Sequence, residues 1–289
     1  MKSIIAITQV SLICIAIFPS HASDNVPSAS NDSIAVSAPV TTDLAGKSAK
    51  TAIQSVFRII DIENGSGGTG FLHKSGKIIT AAHVVANPHK DKLKIVLSDQ
   101  TILNVTDVVI DSDHDLALVT PEKAISKPPL SITRATSIPV GMQVTTWGFP
   151  AGYNGLVPLL TVGYVAGVDV ISPRPGILVS KYVVNAAFNG GNSGGPLLNM
   201  EDGSVIGVVS SKLAPIPHYI VSALEALENQ QSGFTYSAKT ADGKEVTLTE
   251  GKIVGDVLTY LRSQTQLVIG HTVSTPDLIS LLKREKIDP

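Results

Sequence analysis

Hydrophobic and polar positions follow one another along most of this chain in short runs that stop at turn residues. Ser55–Ile62 is rich in β-branched residues and reads as a strand. Gly65-Ser-Gly-Gly-Thr-Gly70 follows, then a second strand, a turn at Lys74-Ser75-Gly76 and a third strand over Lys77–Thr80. Leu93–Leu97, Ile102–Ile110 and Leu116–Val119 continue the pattern, and Val144–Trp147, Leu160–Val168, Ile177–Val184, Leu197–Leu198 and Val205–Val209 complete it. No helices of ten residues alternate with these runs. A parallel α/β sheet is therefore disfavoured and an all-β plan favoured.

Beyond residue 213 the period changes. Ile220, Val221, Leu224 and Leu227 fall at helical spacing, as do Ile253, Val254, Val257, Leu258 and Leu261. Between them Phe234–Thr249, with Asp242-Gly243 in its middle, predicts a hairpin. Leu267–Val273 returns to strand character. Thr275-Pro276-Asp277 then starts a terminal helix, with the Thr275 hydroxyl as cap, proline at the first helical position and an acid at the positive end of the dipole.

The first 22 residues stand apart. Lys2 precedes an apolar stretch, Ile4–Phe18, too short for a comfortable membrane span; Pro19 breaks it, and Ser20-His21-Ala22 places small residues where a signal peptidase reads. Residues 1–22 are expected to be an export signal cleaved after Ala22, leaving a periplasmic or extracellular, bacterial protein with no membrane anchor. Residues 23–45 are rich in Ser, Ala, Asp and Pro without a period and read as a tether, with the folded domain expected over residues 46–289. Cys14, the single cysteine, lies in the signal, so the mature chain would rely on its core rather than on disulfides.

Composition narrows the functional classes. Of 289 residues 43% are hydrophobic and 16% charged, enough apolar material to exclude a disordered chain. Lys and Arg number 22 against 24 Asp and Glu, a net charge of −2, so nucleic-acid binding is not expected. Without a mature cysteine or a His pair at helical spacing, neither a metal site nor a cofactor is expected. Gly65, Gly67 and Gly70 satisfy a dinucleotide fingerprint, but a turn and a strand follow where that fingerprint needs a helix.

Three segments carry chemistry: Thr80-Ala-Ala-His83, Asp115-Leu-Ala-Leu118 and Gly191-Asn-Ser-Gly-Gly-Pro196. A serine hydroxyl is a poor nucleophile until a base takes its proton. His83 can do so near neutral pH, and Asp115 would hold the other ring nitrogen. In the Gly191, Asn192, Ser193 loop, backbone N–H groups of Gly191 and Ser193 could meet the developing oxyanion, with glycine supplying the positive φ that turns them inward. Asp113 is the alternative third member; Asp115 is preferred because an apolar strand begins directly after it. His73, His89, His114 and His218 lack a motif and read as solvated surface residues. Gly191-x-Ser193-x-Gly195 also matches the nucleophile elbow of α/β-hydrolases, which would call on Asp256 and His271 and needs a helix after the serine.

With Gly67-Gly-Thr-Gly-Phe71 and Trp147-Gly-Phe-Pro-Ala-Gly152 added, these strings stand in an order that resembles the chymotrypsin-like serine peptidases, most closely their HtrA/Deg-type bacterial branch. Leu267–Lys283 resembles the last barrel strand and terminal helix of that family. The resemblance implies two six-stranded antiparallel β-barrels with a C-terminal helix, His83 and Asp115 in the first barrel and Ser193 in the second. It also implies a serine endopeptidase acting on protein or peptide substrates. By the same carry-over Ala187 would lie at the base of the S1 pocket, with Val209, Ser210 and Ser211 as its wall. A small or medium apolar P1 residue is expected; His271, if close, would favour an acidic one. Two departures stand out: no PDZ domain is expected after the terminal helix, and residues 213–266 form a mixed helical and hairpin insertion beside S1, expected to act as a lid or docking element. A non-catalytic binding module of the same fold is the competing expectation, disfavoured because all three chemical residues are present.

Overall fold

The computed structural model describes residues 42–135, 137–212, 226–227, 235–239, 245–264 and 269–289. The expected signal, most of the expected tether, His218 and much of the insertion lie outside the described residues. The first described element, α1 (Ala49–Ser55), is a helix where the pattern predicted none. Ala45, assigned to the tether from composition, is buried with Ala49 and Ala52 in a core cluster, so the ordered region reaches into the expected linker.

Six strands close the first barrel: β1 (Val56–Asp61), β2 (Ser66–Leu72), β3 (Ile78–Thr80), β4 (Leu93–Val96), β5 (Ile102–Asp111) and β6 (Leu116–Pro121). Their order around the barrel is β1-β2-β3-β6-β5-β4, all pairs antiparallel. The second barrel holds β7 (Gln143–Gly148), β8 (Leu159–Ile171), β9 (Val179–Asn185), β10 (Pro196–Asn199) and β11 (Val205–Lys212). It closes as β10-β11-β14-β9-β8-β7 through β14 (Gly270–Ser274), which arrives after the insertion. Nearly every predicted run became a strand, with ends shifted by up to three residues. The fold is the all-β pair of six-stranded barrels that the resemblance implies.

Alternation explains how each barrel fills. Phe57, Ile59, Ile78, Leu93, Ile95 and Ala117 point into the first; Val144, Val165, Tyr182, Val184, Leu197 and Ile206 point into the second. A third cluster lies between them, where Phe71, Leu116, Trp147, Phe149 and Leu198 meet α1 and the terminal helix α3 (Thr275–Arg284). Fully burying one such large side chain contributes about 1.5–3 kcal/mol, so this seam is a substantial bond between the two halves. The predicted start of α3 is displaced by one residue. Ser274 is the cap position and its Oγ donates to Asp277 Oδ2 at 2.8 Å, while Thr275 is the first helical residue.

In the insertion, β12 (Thr235–Lys239) and β13 (Glu245–Thr249) pair antiparallel as the predicted hairpin. Helix α2 (Glu250–Gln264) follows, at the spacing read from Ile253, Val254, Val257, Leu258 and Leu261. Of the helix predicted around Ile220–Leu227, residues 226–227 are described and are helical. Among the described residues no helix is long and apolar enough to cross a membrane. After Ser193 the chain enters β10, a strand, and Asp256 lies on α2, so the nucleophile-elbow alternative is overturned. The Gly65–Gly70 fingerprint lies within and just before β2, which leads to β3 and not to a helix.

Candidate active site

His83 sits in a short 3₁₀ turn, Ala82–Val85, entered directly from β3. Asp115 closes the turn between β5 and β6 with φ +55°, a left-handed conformation that aspartate tolerates better than most residues. Because β3 and β6 are paired neighbours, the two side chains meet at one end of the first barrel. His83 Nδ1 lies 2.9 Å and 3.0 Å from the two Asp115 oxygens, and the His83 backbone N–H donates to Oδ1 at 3.1 Å. The carboxylate can only accept, so Nδ1 carries the proton and Nε2 is left free to take one. Ser210 Oγ donates to the other oxygen, Oδ2, at 2.6 Å. Burial alone would push the Asp115 carboxyl up; the hydrogen bonds from His83 and Ser210 outweigh it and hold the group below the usual carboxylate range.

Ser193 arrives from the second barrel on a loop built by the first. Thr69 on β2 donates its N–H to Ser193 O at 2.8 Å and its hydroxyl to Gly191 O at 2.6 Å, and accepts the Phe149 N–H at 3.1 Å. Gly194 N–H donates to Val209 O, and Val209 N–H to Gly195 O. Gly191 (φ +90°) and Gly194 (φ +86°) occupy the left-handed region, and a Cβ at Gly194 would run into Thr69 O and Thr80 Oγ1. The Asn192 N–H is turned onto Asn189 O at 3.1 Å, whereas among the described residues the N–H groups of Gly191 and Ser193 have no such acceptor. Of the three residues of the expected oxyanion loop, only Gly191 and Ser193 therefore have donors to offer.

His83 and Ser193 line one open cleft of about 330 Å³ with Phe188, Asn189, Gly190, Val209 and Ser210. The Ser193 hydroxyl donates to Ser210 O at 2.9 Å; among the described residues it makes no hydrogen bond to His83. Val209 and Ser210 line the cleft, and Ser211 continues the same strand. Ala187, expected at the base of S1, is not on the cleft wall; its neighbour Phe188 is, with its ring stacked where a side chain at Gly270 would have to be. His271 has its Nε2 3.8 Å from Asp169 Oδ2 and is not among the residues lining the cleft. Asp113 is taken by an ion pair with Arg174.

Two histidines read as solvated behave otherwise. His73 is buried, with Nδ1 2.9 Å from Ser75 Oγ, and His114 is mostly buried against Asp111 at 2.9 Å. His89 is exposed beside Glu63, as expected. Sequence reasoning missed Thr69, the bracket of the nucleophile loop, and Lys181, whose Nζ lies 3.2 Å from Ser210 Oγ. A lysine inside the apolar run Ile177–Val184 was a usable signal for the second; the first stood in the Gly67–Phe71 string, which marked the residue but not its role.

Residues 68–208 match the family described as the trypsin-like peptidase domain. Over this stretch the chain is similar to trypsin-fold serine peptidases, and the curated relatives it matches are serine proteases of the HtrA type. It is 28% identical over 212 residues to the mitochondrial serine protease HTRA2 of Drosophila willistoni, covering 70% of this chain and 48% of that one. Against the same protein of Drosophila yakuba the identity is 29% over 220 residues, covering 71% and 50%. The chain thus spans about half the length of the curated relatives it matches. Among solved structures it superposes on the Rv3671c protease in an inactive form with a TM-score of 0.54, at 18% identity and covering 84% of this chain and 94% of that one. The active form from M. tuberculosis gives 0.51 at 21%, with coverages of 84% and 93%. At these identities the likeness speaks for the fold.

Proposed function

We propose that the protein is a serine endopeptidase that cleaves peptide bonds through an acyl-enzyme on Ser193. One observation carries this reading: a histidine whose Nδ1 is held by a partly buried carboxylate shares a cleft with a serine on a glycine-rich loop. On substrate arrival Ser193 Oγ leaves the Ser210 carbonyl by rotation about χ1 and attacks the scissile carbonyl carbon. Its proton passes to His83 Nε2, and Asp115 stabilises the imidazolium. The carbonyl oxygen takes up the electron pair and is met by the N–H groups of Gly191 and Ser193. Collapse breaks the C–N bond, with the proton going from His83 to the leaving amine; water then repeats the sequence on the ester.

The cleft supports a small or medium apolar P1 residue. Val209 and the Phe188 ring offer apolar contact, Phe188 fills depth that a large side chain would need, and no lining residue carries an opposing fixed charge. His271, beside Asp169 and not among the residues lining the cleft, gives no support to an acidic P1.

Incubation with a fluorophosphonate probe tests the reading. We expect stoichiometric labelling, abolished in Ser193→Ala and in His83→Ala. A well-folded parent that never labels would instead favour the binding-module reading, in which the Ser193–Ser210 hydrogen bond is permanent. The apolar segment 4–18 and its small-residue boundary support export. Expression of the full chain in a bacterial host should yield a mature N-terminus at Ser23, read by N-terminal sequencing; retention of Met1 would sink that part.

A further inference from the structure

Lys181 stands on β9 between Ser180 and Tyr182 and is 8% exposed, although its side chain belongs to the face opposite the barrel core formed by Tyr182 and Val184. A buried ammonium needs partners. Its described hydrogen bond is to Ser210 Oγ, at 3.2 Å. That same oxygen lies 2.6 Å from Asp115 Oδ2, and the Asp115 carboxylate holds His83. The direction of this chain is forced. The ammonium can only donate and the carboxylate can only accept, so the single Ser210 proton goes to Asp115 and a Ser210 lone pair faces Lys181. Lys181 is thus joined to the imidazole by three consecutive hydrogen bonds, in surroundings where charges are poorly screened.

We propose that Lys181 is a positioning residue of the active site: through Ser210 its ammonium fixes the Asp115 carboxylate and takes up part of the charge that would otherwise act on His83. This rests on the triad reading for its catalytic meaning, but the coupling itself is a property of the resting protein. Among the described residues, the other charged or titratable groups facing Lys181 are Asp169, its cross-strand partner on β8, and His271 on β14. Burial lowers the basicity of Lys181, while Asp115 and Asp169 raise it; His271 is lowered by burial and by Lys181, and raised by Asp169. Lys181 therefore stands between two carboxylates, and replacing it leaves Asp115 with more negative charge to present to the imidazolium.

The sign follows. Without the cation, His83 should hold its proton more tightly. In the full chain carrying Ser193→Ala, the histidine ring signals would be titrated by NMR with Lys181 intact, as Lys181→Met, and as Lys181→Gln in case the methionine variant does not fold. We expect the His83 midpoint to rise by about half a unit or more, while the exposed His89 stays in place. In the Ser193 parent the acid limb of the fluorophosphonate labelling rate should move the same way, so that labelling at a pH on that limb falls about threefold or more. A His83 midpoint unchanged within about 0.2 unit in either folded variant overturns the proposal. The titration needs no activity. Absence of labelling in the parent would remove the triad reading and leave the coupling measurable; normal labelling with an unmoved midpoint would remove the coupling alone.

Discussion

Asp115 does two jobs at once, and its φ of +55° shows why the residue type is constrained. The left-handed backbone suits Asp, Asn or Gly, and the carboxylate accepts from His83 and Ser210. Asn keeps the backbone preference and the shape but presents an N–H₂ where an acceptor is needed. Asp115→Asn should therefore fold normally, with a thermal midpoint within a few degrees of the parent. Its fluorophosphonate labelling should slow by roughly 10⁴-fold, because the wrong imidazole tautomer is held. A labelling rate within tenfold of the parent would show that this residue does not set the tautomer of His83. The neighbouring acids make the choice informative: Asp113 is occupied by Arg174 and Asp111 by His114 and Arg284, so neither can stand in.

At the scale of elements, β2 matters more than its sequence suggested. It is a strand of the first barrel, yet Thr69 brackets the nucleophile loop of the second, 122 residues away, through Gly191 O. Thr69→Val preserves volume but leaves the Gly191 carbonyl and the Phe149 N–H without their partner. Each unsatisfied buried group costs about 1–3 kcal/mol. The expected outcome is a lowered thermal midpoint together with a labelling rate down by an order of magnitude or more, as the Gly191 peptide loses its bracket; unchanged labelling in a destabilised protein would show that the loop holds itself. The same element shows what was legible in the chain. Strands were readable because alternation is local, and His83, Asp115 and Ser193 because their strings are short and ordered. Thr69, Lys181 and the facing of Phe188 were not, because their roles arise only when two barrels and distant strands are brought together. Helix α1 was missed because its apolar positions are mostly alanines, Ala49 and Ala52, which give a weak period. Ala187, expected at the base of S1, is not among the residues lining the cleft, whereas its neighbour Phe188 is.

At the scale of the whole molecule, α3 ties the end of the chain to the first barrel, although the strand preceding it belongs to the second. Arg284 donates to Asp111 Oδ2 at 2.8 Å, and His114 Nδ1 lies 2.9 Å from the same oxygen. Burial would raise the Asp111 carboxyl; the hydrogen bonds from Arg284 and His114 prevail and hold it below its ordinary value of 3.8. A carboxyl lowered on folding adds stability that is present above its unfolded pKa and lost as pH falls through the folded one. Asp277 works the other way: burial raises it, so it detracts from stability at neutral pH and is relieved on acidification. Arg284 is half-exposed, which discounts its contribution to about 1 kcal/mol. Arg284→Met should therefore lower the urea midpoint at pH 7 by that equivalent, and by nearly the same at pH 5, since Asp111 is still ionised there. The difference between parent and variant should shrink only below about pH 4, as Asp111 takes up its proton. A difference that vanished between pH 7 and pH 5 would show that the Asp111 carboxylate does not carry the linkage. Asp111 opens the turn that ends at Asp115, so loosening this tie should also widen the His83–Asp115 geometry, and labelling of the Arg284 variant should fall before the protein unfolds.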